Sequence, residues 1–179
     1  MSNVREELLT AAEGRIRRNG FHGVSFRDLA GDLGIKSASV HYHFPKKEDL
    51  GVSVVERYAE RLFGALEDRV AGGVPPVQAF VDTYRSALNS ADAACLCGVM
   101  GAEVLGLPEP VQAAVRSFLK DNIRWLSRVL KELGAADPEA QATEAVATLQ
   151  GAMMLAVNLG DKQVFEVAAN GVEQRLGNR

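Results

Sequence analysis

Ser25-Phe26-Arg27-Asp28-Leu29-Ala30-Gly31-Asp32-Leu33-Gly34-Ile35-Lys36-Ser37-Ala38-Ser39-Val40-His41-Tyr42-His43-Phe44-Pro45 is the stretch that decides how the chain folds. Ser25 followed by Asp28 resembles a capping box with the shorter acid in place of Glu, so a helix starts there. Leu29, Ala30 and Leu33 continue it at helical spacing. Gly34 supplies the backbone freedom of a tight turn. A second, short helix from Ser37 to His43 is limited by Pro45, because the residue before a proline avoids the helical region. Two short helices around a Gly-centred turn have the layout of a helix-turn-helix. Leu29, Ala30, Leu33, Ile35 and Val40 fall where the two helices must pack. The other face of the second helix carries Lys36, Ser37, Ser39, Tyr42 and His43 and no acid. Short polar groups, one cation and polar-tipped rings suit a helix laid into a major groove lined by phosphates.

Outward from this stretch the apolar period is helical nearly everywhere, and no sheet is expected. Helix 1 is predicted from about Val4 to Arg18, with Leu8, Leu9, Ala12 and Ile16 on one stripe and Asn19-Gly20 as its stop. Helix 4 runs from about Lys46 to Val70 and is followed by the break Ala71-Gly72-Gly73-Val74-Pro75-Pro76. Four further helices are predicted to about Leu88, over Cys95 to Leu105, from Pro108 to near Leu133, and from Pro138 to Leu159. A last one runs from about Asp161 to Leu176. The reading is all-α, with about nine helices: an N-terminal three-helix domain over 1–47 and a C-terminal helical domain over 48–179.

Charge divides along the same line. The chain of 179 residues has a formal net charge of −3. Residues 1–47 hold eight Lys/Arg against five acids, and the remainder holds 12 against 18. One basic end on an acidic body is expected when only that end meets phosphate. Arg15, Arg17 and Arg18 read individually as solvated surface charges. The opening Met1-Ser2-Asn3-Val4-Arg5 has no apolar signal segment. The most apolar run, Ala145 to Leu159, falls short of the roughly 18 residues a bilayer needs. Cys95 and Cys97 make neither a disulfide framework nor a zinc spacing, and a cytoplasmic, reducing compartment fits them. His41 and His43 lie two apart on a helix and point in different directions, so no metal site is expected. No histidine follows His43 and no phosphate-cradling glycine loop occurs, which argues against an enzyme and gives no cofactor.

The run Gly34 to Leu50, read as GIKSASVHYHFPKKEDL, resembles the recognition-helix signature of the TetR family of transcriptional regulators. The upstream run Gly20 to Ala30, GFHGVSFRDLA, is similar to the same family. The resemblance implies an N-terminal helix-turn-helix domain and a C-terminal ligand-binding and dimerisation domain. It implies that Ser25 caps helix 2 and touches a phosphate and that Arg27 lies near the groove edge. Lys36, Ser37, Ala38 and Ser39 would face bases. Tyr42 and His43 would contact phosphates or bases, with His41 at a position where the family usually has Tyr. Lys47 would bind phosphate beside the N-terminus of helix 4, where the helix dipole favours an anion.

In the helix predicted from Pro138 to Leu159, the run Ala145 to Leu159 is apolar on almost every face, and such a helix is buried all round. A domain this small buries one face internally, so the other is expected to meet a second subunit. The resemblance implies the same: a homodimer through the last two helices on a pseudo-palindromic operator in double-stranded DNA, released by a small effector. Pocket candidates by residue type are Tyr58, Phe63, Phe80, Tyr84, Cys97, Met100, Glu103, Phe118, Trp125, Met153 and Met154. Methionine-rich walls favour an apolar or aromatic molecule. A thiol sensor built on Cys95 and Cys97 is the competing reading.

Overall fold

The computed structural model describes residues 4–91 and 94–177 and contains nine α-helices and no strand among them. The opening residues Met1, Ser2 and Asn3 lie outside this range. The helices are α1 (Val4–Asn19), α2 (Phe26–Leu33), α3 (Ser37–His43), α4 (Lys47–Ala71), α5 (Pro76–Ala91), α6 (Leu96–Ala102), α7 (Glu109–Glu132), α8 (Pro138–Leu159) and α9 (Gln163–Gly177). A 3-10 turn, Val104–Gly106, separates α6 from α7. The predicted helix over Cys95 to Leu105 is therefore too long. The N–H of Glu103 bonds the carbonyl of Met100, three residues back, at 3.1 Å, which tightens the chain out of the α-helix.

The chain forms two compact units. The first takes the residues up to Ala59 together with Leu96–Phe118, and the second takes Glu60–Cys95 together with the residues from Leu119 onward. Both α4 and α7 contribute to each unit.

In the first unit the stripe expected on α1 is buried: Leu8, Leu9, Ala12 and Ile16. The guanidinium of Arg57 on α4 holds α1 by donating to the Glu6 carbonyl at 3.1 Å, the Thr10 hydroxyl at 2.9 Å and the Glu13 carboxylate at 3.3 Å. Phe21, Leu29, Val40, Phe44, Leu50 and Val54 complete the buried set around the helix-turn-helix.

In the second unit α5, α8 and α9 pack on one another. Phe80, Tyr84, Leu149, Met153, Phe165 and Val172 are buried there. Arg85 on α5 binds Asp82 on its own helix, Glu166 at 2.9 Å and Glu173 at 3.4 Å, so one cation ties α5 to α9. Helix α8 begins at Asp137, whose carboxylate accepts the N–H of Ala140 at 3.2 Å as an N-cap. Its buried face is Ala142, Ala145, Val146, Leu149, Ala152, Met153 and Ala156. Met154, Leu155 and Leu159 are exposed on it, so within one chain the apolar run is half covered. No helix of the described residues is long and apolar enough to cross a membrane.

Candidate nucleic-acid interface

Helix α2 starts where its side chains can cap it. Ser25 is extended at φ −125°, and its hydroxyl accepts the N–H of Asp28 at 3.2 Å. The same hydroxyl donates to the Asp28 carboxylate at 2.6 Å. The short acid thus accepts a hydrogen bond from the cap hydroxyl. That bond engages the Ser25 hydroxyl proton within the cap. Gly34 ends the helix at φ +64°, a left-handed conformation costly for any residue with a Cβ, and its neighbour Ile35 closes the turn by donating to the Ala30 carbonyl at 3.0 Å.

Helix α3 has seven residues, and Val40 is its single buried one. Lys36, Ser37, Ala38, His41 and Tyr42 are exposed, while Ser39 and His43 are half-buried. Tyr42 stands out furthest, at 83% exposure. The His41 ring lies edge-on to Phe26 at 4.8 Å and the His43 ring edge-on to Tyr42 at 5.1 Å, so each histidine has its own aromatic partner. Phe21 and Phe44 are core, whereas Phe26 is half-buried beside His41. Among the described residues no group of three or more His, Cys, Asp or Glu is placed to hold a metal ion. Arg27 on α2 is exposed.

Lys47 is only half-buried at the start of α4, and its ammonium rests over the Phe21 ring, 4.5 Å from the centroid. Burial pushes that ammonium below the ordinary lysine value, with the Glu103 carboxylate pulling the other way. Lys46, which the sequence reading passed over, is the more exposed of the pair, with 71% of its side chain open and Glu48 at 3.2 Å.

The basic end is also more structured than isolated surface charges. Arg15 on α1 grips Asp32 on α2 through two bonds, 2.5 and 2.7 Å. Arg17 is buried to 8% exposure rather than solvated. The hydrogen bonds from Arg15 hold the Asp32 carboxyl below its usual range. A carboxyl whose folded value is lowered stabilises the fold above its unfolded value, near pH 4, and loses that contribution as pH falls through the lowered one. Asp32→Asn is therefore expected to flatten the fall in melting temperature below about pH 4 relative to wild type. Melts followed from pH 6 downward check this, and parallel curves for the two proteins would contradict it.

The candidate pocket residues fall into two sets. In the first unit Tyr58 and Phe118 are buried with ring centroids 5.6 Å apart, and Cys97 and Met100 are buried on α6. Glu103 accepts the backbone N–H of Phe21 at 2.9 Å, so its carboxylate serves the α1–α2 turn. In the second unit Phe80 stacks on Trp125 at 5.6 Å and lies 5.2 Å from Tyr84. The Tyr84 hydroxyl donates to the wholly buried Asn122 at 3.1 Å, and the Trp125 N–H donates to Glu67 at 2.7 Å. Met153 is buried, Phe63 half-buried, and Met154 is 42% exposed. Two clefts in this unit have other linings. One of about 230 Å³ is bounded by Leu88, Ala156, Val157, Gly160 and Lys162. One of about 400 Å³ is bounded by Lys120, Ile123, Arg124, Ser127, Glu139 and Thr143. Sequence reasoning missed Gln150. Both polar atoms of its carboxamide are buried on α8 without a hydrogen-bond partner in the chain. The signal was available: a primary amide in the middle of the most apolar run of the chain.

Two family models match the chain in succession. Residues 8–54 match the model described as "Bacterial regulatory proteins, tetR family". Residues 74–171 match "Transcriptional regulator LmrA/YxaF-like, C-terminal domain". The chain is 23% identical over 161 residues to the HTH-type transcriptional regulator LmrA of Bacillus subtilis, covering 86% of each. It is 30% identical over 139 residues to the HTH-type transcriptional repressor KstR2 of Rhodococcus jostii, covering 76% of this chain and 67% of that one. A TetR transcriptional regulator from Legionella pneumophila superposes with a TM-score of 0.92 at 30% identity, covering 98% of each chain. The helix-turn-helix built on Ser25, Gly34 and Val40 and the matched helical half behind it place this chain in the TetR family: it is a DNA-binding transcriptional regulator and not an enzyme.

Proposed function

We propose that the protein is a ligand-responsive repressor that binds a pseudo-palindromic operator as a homodimer in the cytoplasm and is released by a small apolar or aromatic effector. The observation that carries this reading is the outer face of α3. It presents Lys36, Ser37, Ala38 and Tyr42 with no acid, while Val40 alone anchors the helix inward. Residues 1–47 are assigned to operator binding and 48–179 to effector binding and dimerisation. Exposed Met154, Leu155, Val157 and Leu159 on α8 and Val167 on α9 support a second copy against the last two helices, because so much apolar surface on neighbouring elements is costly in water. The unpaired Gln150 amide supports a ligand that carries one polar group on an apolar body. The thiol reading has less behind it: Cys95 and Cys97 are buried to 2% and 0% exposure, which denies a reagent access.

Release is a population shift. Helix α4 runs unbroken from Lys47 to Ala71, so an effector that favours one placement of this helix acts directly on its phosphate-facing start. Coupling of this kind is typically about 1–3 kcal/mol, or roughly 5–150-fold in affinity.

The test uses a duplex selected by the wild-type protein from a random-sequence library. Lys47→Ala is expected to weaken binding to the selected and to unrelated duplexes alike and to lower the salt slope by about one unit. Lys36→Ala or Ser39→Ala is expected to change preference among sequences by about 1–3 kcal/mol per lost base contact. Identical behaviour of the two kinds of variant would remove the division into phosphate and base contacts.

A further inference from the structure

The turn between α1 and α2 is held by a segment far away in sequence. The N–H of Phe21 donates to the Glu103 carboxylate at 2.9 Å, across 82 positions of chain. Next to it the His22 ring nitrogen lies 3.1 Å from the Gly106 carbonyl. The fit is close. Gly20 has φ +74°, and a Cβ built there would lie 1.8 Å from the Glu103 carboxylate. Gly51 on α4 lies against the Phe21 ring, where a Cβ would come within 2.7 Å. Glu103 occupies the cap position of the 3-10 turn, yet its side chain makes no cap bond to that turn. Its carboxylate is spent on the Phe21 N–H instead, and the ring of that same residue carries the cation that begins α4: the Lys47 ammonium sits 4.5 Å from the ring centroid.

We propose that Glu103 is a positioning residue for DNA binding: by fixing the Phe21 backbone it sets the ring on which the Lys47 ammonium rests, and so the place from which that cation meets a phosphate. The last step rests on the reading of Lys47 as a phosphate contact. A flexible four-carbon side chain has many rotamers to lose on binding. A ring held at a fixed place restricts them beforehand, so less is lost when the phosphate arrives.

The experiment measures anisotropy titrations of the full-length protein with the duplex selected by wild type, over a series of salt concentrations. Deuterium exchange is followed in parallel at the Phe21 amide. Glu103→Ala is expected to weaken binding about tenfold, the equivalent of about 1.4 kcal/mol, and to speed exchange at Phe21. Glu103→Gln keeps an acceptor oxygen and is expected to stay within about threefold of wild type and to preserve protection. In a Lys47→Ala background, Glu103→Ala is expected to add less than about twofold, because residues acting through one contact are not additive. A second route covers the case in which Glu103→Ala is too unstable to titrate. Phe21→Leu keeps the N–H and an apolar side chain but lacks the ring face, and it is expected to weaken binding and lower the salt slope as Lys47→Ala does.

The role of Glu103 is overturned if Glu103→Ala binds as wild type while Lys47→Ala is weakened, if Glu103→Gln is as weak as Glu103→Ala, or if Phe21→Leu binds as wild type. Lys47→Ala binding as tightly as wild type would instead refute the phosphate reading of Lys47 and remove this route with it.

Discussion

Val40→Asp is expected to reduce binding to the selected duplex by more than about a hundredfold, corresponding to the roughly 3–5 kcal/mol cost of an unpaired buried charge. Val40 has 0% exposure and is the one buried residue of α3. A helix of seven residues is far below the length that persists alone in water, about 12–15 residues. What keeps α3 helical is its packing on α2, with Leu29 and Ala30 buried there. A carboxylate at position 40 must either lose its hydration inside that contact or pull α3 away from it. In both cases the exposed face of Lys36, Ser37 and Tyr42 ceases to be presented as one surface. Anisotropy titration checks the loss, and far-UV circular dichroism is expected to retain most of the helical signal from the longer helices. Binding within tenfold of wild type would mean that α3 is not the DNA-reading element.

Phe165→Ala carries the largest expected effect on stability. Phe165 on α9 has 0% exposure, and α9 packs on both α8 and α5. Removing a buried phenyl ring deletes its transfer free energy and leaves a cavity, about 3–5 kcal/mol in comparable cores. For a chain of this size each kcal/mol lowers the melting temperature by about 2–4 °C, so a fall of roughly 6–20 °C is expected. The ion group around Arg85 also joins α5 to α9, through Glu166 and Glu173. It does not offset the loss, because partly exposed ion pairs contribute little beside a buried ring. Thermal melts followed by circular dichroism decide the matter, and a shift below about 3 °C would show that α9 is not part of the cooperative core.

The amino-acid sequence by itself determined the helix-turn-helix and the number and order of the helices. The signals there are local: a hydroxyl three residues before the N–H it caps at Ser25, a glycine where the backbone turns left-handed at Gly34, and apolar spacing that selects Val40 as the inward residue. Such interactions span a few positions and depend little on the rest of the chain. Tertiary structure alone decided that α6 stops at Ala102, that Glu103 serves Phe21, that Lys47 rests on a ring, that Arg17 is buried, and that Gln150 is left without a partner. Each of these depends on which distant segments meet, and residue type and periodicity do not encode that. A carboxylate or a lysine has the same local pattern whether water, a backbone N–H or an aromatic face awaits it. Its partner is chosen only when the helices pack.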